Sequence, residues 1–141
     1  MISFTLTVLG VPQPQGSARA FLPKGTHRPI LTSDNPRLKG WRHLVAGEAS
    51  RALQAQGFPA GAVIPGALHL TVQFFLPRPK ALGSRTLAHV TRPDLDKLTR
   101  AIGDALSGVV YQDDAQVITL AASKQYAGVG ESPRVVITVT P

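Results

Sequence analysis

Leu68-His69-Leu70-Thr71-Val72-Gln73-Phe74-Phe75-Leu76 carries an apolar residue at every second position from 68 to 76. Successive side chains of a strand point to opposite faces, so this stretch reads as a strand with one face in a core and the other towards water. Such a strand needs partners beside it and a layer over its apolar face. The flanking sequence supplies both. Ile2, Phe4, Leu6 and Val8 alternate with Ser3, Thr5 and Thr7 as a second strand, and Val117 to Tyr126 and Arg134 to Thr140 read as two closing strands joined by the Gly128-Val129-Gly130 turn. Ala18 to Leu22 and Pro29 to Thr32 read as short extended pieces around the Pro23-Lys24-Gly25 turn.

Two stretches have helical spacing instead. Ser33 or Asp34 is placed to cap a first helix, with Pro36 in its first turn and Trp41, Leu44, Val45, Ala49 and Ala52 recurring on one face to about Gln56. Leu95, Leu98, Ile102, Ala105 and Leu106 form the stripe of a second helix, which Gly108 ends. Gly57 to Gly66 reads as a connector, and Pro77 to Arg92 as a long loop with Leu87 its one anchor. The order predicts an α+β fold, one domain over residues 1–141, in which a mixed sheet of about four to six strands packs with two main helices. Trp41 and the Phe74-Phe75 pair are assigned to the core or a dimer contact rather than to base stacking.

Composition narrows the chemistry. The chain has no cysteine, so disulfides, thiolate metal sites and cysteine nucleophiles are excluded, and any metal must be held by oxygen or imidazole. No apolar run approaches the ~18 to 20 residues of a membrane span, and the start alternates where a signal peptide would be a solid apolar block. The expectation is a soluble, cytoplasmic protein with no membrane partner. The net charge is +7, unevenly spread: residues 1–92 hold eleven Lys and Arg against two acids, whereas residues 93–141 hold four against six. Five of those six acids lie between Asp94 and Asp114. A basic body around one acidic focus suits a polyanion held by its phosphates, with chemistry done at the carboxylates.

Asp94 and Asp96 open the second helix, and Asp113-Asp114 follow it just before a strand. Two acids at i and i+2 lie about 200° apart on a helix but share a side where the backbone is extended. Pro93 favours an extended Arg92 upstream. Asp94 and Asp96 are thus expected to converge, with one of the later pair returned beside them. Hard oxygen ligands of this kind suit Mg²⁺. Taken singly, Asp94 or Asp96 also fits a helix cap or a dipole-favoured first-turn acid, Asp113-Asp114 a solvated turn, and Asp104 a surface ion pair. His69 and His89 read as ordinary strand and loop residues.

Three blocks, Arg92-Pro93-Asp94-Leu95-Asp96-Lys97-Leu98, Ala101-Ile102-Gly103-Asp104-Ala105-Leu106-Ser107-Gly108 and Tyr111-Gln112-Asp113-Asp114-Ala115-Gln116-Val117, closely resemble the RusA family of Holliday-junction resolvases in order and spacing. The resemblance implies a homodimeric endodeoxyribonuclease, dependent on Mg²⁺ or Mn²⁺, that nicks opposed strands of four-way DNA junctions. It gives Asp94, Asp96 and Asp114 as the metal-holding carboxylates. The family has a functional lysine four residues after the second aspartate, where this chain has Arg100, and Lys97 stands where an asparagine is usual. Arginine keeps its proton at neutral pH, so Arg100 suits charge stabilisation on the phosphate, with Lys97 the substitute if a proton must move. Arg19, Lys24, Arg28, Arg78, Lys80, Arg85 and Arg92 are the candidates for contact with the DNA backbone. A phage or prophage gene is a common setting for such proteins. Two other readings compete: a branched-DNA-binding protein without catalysis, which Arg100 keeps open, and a small structural protein whose acids are caps and turns.

Overall fold

The computed structural model describes residues 3–16, 18–22, 24–33 and 35–141, without the side chains of 18–21 and 30–33. Strand β4, Leu68–Leu76, is the inner strand that its alternation demands: Leu68, Leu70, Val72, Phe74 and Leu76 are all buried, while Thr71 and Gln73 are exposed. It lies in a four-stranded sheet of order β1-β6-β4-β5, with β1 Phe4–Leu9, β5 Val117–Tyr126 and β6 Arg134–Thr140. β6 runs antiparallel to both β1 and β4, and β5 runs parallel to β4. The turn after β5 therefore does not close a hairpin. It sends the chain past β4, because the helical crossover from β4 has already set β5 parallel on the far side. β2, Ala18–Phe21, and β3, Ile30–Ser33, pair as a separate antiparallel ribbon. Ile2 lies outside the described residues.

One face of the sheet carries the core. Phe4, Leu6 and Val8 of β1 and Val135, Ile137 and Val139 of β6 are buried there with the β4 residues, under helices α1, Leu38–Ala55, and α2, Leu95–Leu106. The other face is polar, with Thr5 and Thr138 hydroxyls hydrogen-bonded across β1 and β6 at 2.9 Å. Arg134 lies over the Phe75 ring at 4.0 Å. Trp41 and Phe74 are core residues, as their sequence setting suggests.

Helix α1 begins later than expected. Ser33 belongs to β3, Asp34 lies outside the described residues, and the cap position is Arg37, with no side-chain cap bond. The amide of Asn35 does the local work: its Oδ1 accepts from the Arg37 N–H at 3.1 Å, and its Nδ2 donates to the Pro14 carbonyl at 2.8 Å. The buried face is Leu38, Trp41, Val45, Ala49 and Leu53, and Leu44 is exposed. Helix α2 buries Leu98, Ala101, Ile102, Ala105 and Leu106 and ends before Gly108, whose φ of +80° only glycine adopts freely. An ion pair of 3.5 Å between Arg42 and Asp104 links the two helices.

The loop after β4 is not anchored by Leu87, which is half-exposed. Arg78 gathers it, donating to the carbonyls of Ala127 at 2.7 Å, Gly83 at 2.8 Å and Thr86 at 2.5 Å. His89 is the buried anchor, its ring centroid 4.6 Å from that of Tyr126. Burial, and then the nearby charge of Lys124, push its imidazole below the usual pKa. The loop returns along the outer edge of β5, with Ala88 bridged to Gln125. That covers only the end of the strand. Ile118 and Leu120, nearer its start, are 60% and 53% exposed.

Candidate active site

Helix α2 contacts the start of β5 sparsely, and a hollow of about 800 Å³ opens between them. Its floor is apolar, from Leu70, Val72, Ile102, Val117, Leu120 and Ala122, and its polar residues include Asp96, Arg100, Asp104 and Asp114. The helix sets this arrangement. Asp96, Arg100 and Gly103 stand at i, i+4 and i+7 and so share one face of α2. Asp114 arrives from the far side of the Gly108 turn and lies over Gly103, where a β-carbon would sit 3.6 Å from its Oδ1.

Of the adjacent acids Asp113 and Asp114, the first is structural. Asp113 caps the single 3₁₀ turn Asp114–Gln116, accepting from the Ala115 N–H at 2.9 Å. Gln116 closes the box. Its Oε1 accepts from the N–H groups of Gln112 at 2.8 Å and Asp113 at 3.1 Å, and its Nε2 donates to the carbonyls of Ile64 and Gly66 at 2.9 Å each. With both acceptors of the box engaged, Asp114 is left to face the hollow. Tyr111, 1% exposed, donates its hydroxyl to Asp114 Oδ1 at 2.9 Å. Burial first, and then the Asp114 carboxylate, push the phenol well above its usual pKa, so it remains a donor. Gln116→Ala removes four hydrogen bonds at once; at about 0.5–1.5 kcal/mol each, partly exposed, a loss of roughly 2 kcal/mol is expected in a denaturant titration. A loss within error would mean that water replaces the amide without cost.

Asp94 is the cap position of α2, extended at φ −71° and ψ 141°, yet its carboxylate makes no cap hydrogen bond. It lines a second hollow with Lys97, Arg92, Asn35 and residues 11–16, a loop tied to the helix by the Gln15 N–H donating to the Lys97 carbonyl at 2.9 Å. Asp94 and Asp96 therefore open into different hollows. Asp96 lies inside the first helical turn, whereas Asp94 holds the extended cap position before it. Among the described residues, no three Asp, Glu or His side chains are close enough to share one metal ion. The ion pairs among them, Arg42–Asp104, Glu48–Arg51 and Glu131–Arg134, leave Asp94, Asp96 and Asp114 out.

Lys124 was not singled out by the sequence, although it occupies a core-facing register of β5, opposite Phe74. Its Nζ donates to the carbonyls of Thr91 at 2.7 Å and Pro93 at 2.8 Å, holding the segment that delivers Asp94. A cation at an inward strand position is the signal that could have found it. Lys24, Arg28, Lys80, Arg85 and Arg92 are exposed, the side chain of Arg19 in β2 is not among those described, and the donors of Arg78 are engaged by the carbonyls of Gly83, Thr86 and Ala127. His69 is a strand residue bonded to the Thr119 hydroxyl. No helix among the described residues is long and apolar enough to cross a membrane.

This basic α+β domain thus carries exposed carboxylates, outside any ion pair among the described residues, at the start of a helix and on its return turn. The chain belongs to the RusA family: the model of that family, Endodeoxyribonuclease RusA, matches residues 11–140. Endonucleolytic action on branched DNA, Holliday junctions included, is the activity of that family. The chain is also 29% identical over 143 residues to the Bacillus subtilis (strain 168) protein described as "Uncharacterized protein YqaN", covering 94% of this chain and 92% of that one.

Proposed function

We propose that this protein resolves four-way DNA junctions by paired nicking, with Mg²⁺ or Mn²⁺ that would start on Asp96 and Asp114, which share a hollow, and take Asp94 as its third carboxylate once DNA and ion draw the two hollows together. The observation that carries the reading is that these carboxylates are not spent on structure. Asp94 caps nothing with its side chain, Asp96 and Asp114 share a hollow with Arg100, and none is ion-paired among the described residues. The donor set is all hard oxygen, and Mg²⁺ commonly binds through one or two carboxylates, keeping waters and taking phosphate oxygens, so Asp96 and Asp114 suffice to begin a site. When bound, such an ion neutralises phosphate charge and activates water. Arg100 lines the hollow of Asp96 and Asp114 and would hold the scissile phosphate and stabilise charge as it develops, and Lys97 would do the same from the Asp94 side. Cleavage leaves 5′-phosphate and 3′-hydroxyl ends. Lys24, Arg28, Lys80, Arg85 and Arg92, with Arg19, hold the backbone of the arms, while Arg78 shapes the loop that carries Lys80, Arg85 and Arg92. Acting on chromosomal or phage DNA would place the protein in the cytoplasm.

The test is a labelled synthetic four-way junction beside a linear duplex of the same sequence, with Mg²⁺, Mn²⁺ or EDTA. Paired nicks confined to the junction and lost with EDTA are expected. Junction binding without nicks in either metal would overturn the catalytic reading and make this chain a branched-DNA-binding relative, with Arg100 the first residue to revert to lysine.

Paired nicking calls for two matched sites, and the protein is proposed to act as a homodimer. Sedimentation of the wild type is expected to give a dimer, and junction cleavage to give nicks in pairs. A monomeric wild type would sink this arrangement.

A further inference from the structure

The Asp114 carboxylate is exposed on one side and held on the other. Behind it stands Tyr111, whose ring is buried in the core and whose hydroxyl reaches Oδ1 at 2.9 Å and the Gly103 carbonyl at 3.5 Å. Beneath it lies the bare α-carbon of Gly103, where a β-carbon would stand in ordinary contact with both carboxylate oxygens, at 3.6 and 3.9 Å. The backbone of the turn is fixed separately, by Asp113 and Gln116. Tyr111 is therefore the group that sets the rotation of the carboxylate itself.

We infer that Tyr111 is a positioning residue for Asp114: by occupying Oδ1 from the core side it presents Oδ2 to the hollow as the oxygen available to a divalent cation. This rests on Asp114 being a metal-holding residue, as proposed above. A side chain at an exposed turn otherwise samples several rotamers, and each bond that selects one lowers the cost of binding. Tyrosine is suited to the task because its rigid ring is anchored in the core and only its tip is polar.

Tyr111→Phe removes the hydroxyl and keeps the ring. Direct Mn²⁺ binding, followed by the electron paramagnetic resonance of free Mn²⁺, is expected to weaken five- to tenfold in Tyr111→Phe, with thermal unfolding still cooperative. Metal half-saturation of junction cleavage should rise by a similar factor, with a smaller loss at saturating metal. In an Asp114→Asn background the same change should have no further effect on Mn²⁺ binding, which separates positioning from a general loosening of the core. Wild-type affinity in Tyr111→Phe, or equal weakening in both backgrounds, would overturn the inference while leaving the metal reading intact. Absence of Mn²⁺ binding by the wild type would overturn both.

Discussion

Asp94→Asn is expected to abolish junction cleavage, by about 10³-fold or more, while junction affinity stays level or rises. A carboxylate that holds a catalytic cation contributes several kcal/mol to the transition state, and each 1.36 kcal/mol is a factor of about ten in rate. The structure makes the substitution clean. Asp94 is exposed and gives no cap bond to helix α2, so asparagine, itself a good cap residue, should change stability by no more than about 0.5 kcal/mol. Removing a negative charge beside DNA should not weaken binding. Quantifying nicks and gel-shift affinity side by side checks both halves. Unimpaired cleavage would remove Asp94 from the catalytic set, and a large loss of stability would return it to the role of a cap.

Lys124→Met should have the next largest effect, a fall in cleavage of about 10- to 100-fold with junction affinity changed little. The lysine ammonium bonds the Thr91 and Pro93 carbonyls on either side of Arg92, and without it both lose a charged donor. Asp94 follows directly on that segment, and a displacement of ~1 Å at a reacting group can cost about 10²-fold. Lys124→Arg should restore part of the activity. A second readout is local: the imidazole of His89 is held below its ordinary pKa first by burial and next by the Lys124 charge. Losing that charge should raise the pKa without returning it fully, which a pH titration by NMR can follow. Unchanged cleavage in Lys124→Met would show that the segment is fixed by its own turn.

The elements that were legible are those whose periodicity is strong and whose ends carry a physical signal. The alternation of Leu68 to Leu76 gave the inner strand, the stripe from Leu98 to Leu106 with Gly108 after it gave helix α2, and β5 and β6 run over the residues expected for them. The start of α1 was misread because Ser33 and Asp34 look like caps, whereas the ribbon and the Asn35 amide delay the first turn to Leu38. The loop anchor was misread for a similar reason. Leu87 was the apolar choice, but a loop leaving the sheet must satisfy its carbonyls, which Arg78 does, while the buried contact comes from the His89 ring against Tyr126. Lys124 and Tyr111 went unnoticed as site-shaping groups because each acts on residues distant in sequence or through a hydroxyl whose direction no pattern carries.

By itself, the sequence determined the fold class, the basic body with its acidic focus and the family, because these depend on residue type and local spacing, which the chain states directly. Tertiary structure alone decided how the acids divide. Asp113 is turned into a cap, Asp114 is laid over Gly103 under the Tyr111 hydroxyl, and Asp96 faces a different hollow from Asp94. Those outcomes depend on where helix α2 stops, how far it leaves β5 uncovered and which donors reach each carboxylate. Such distances are set by packing between elements, and no single stretch of sequence contains them.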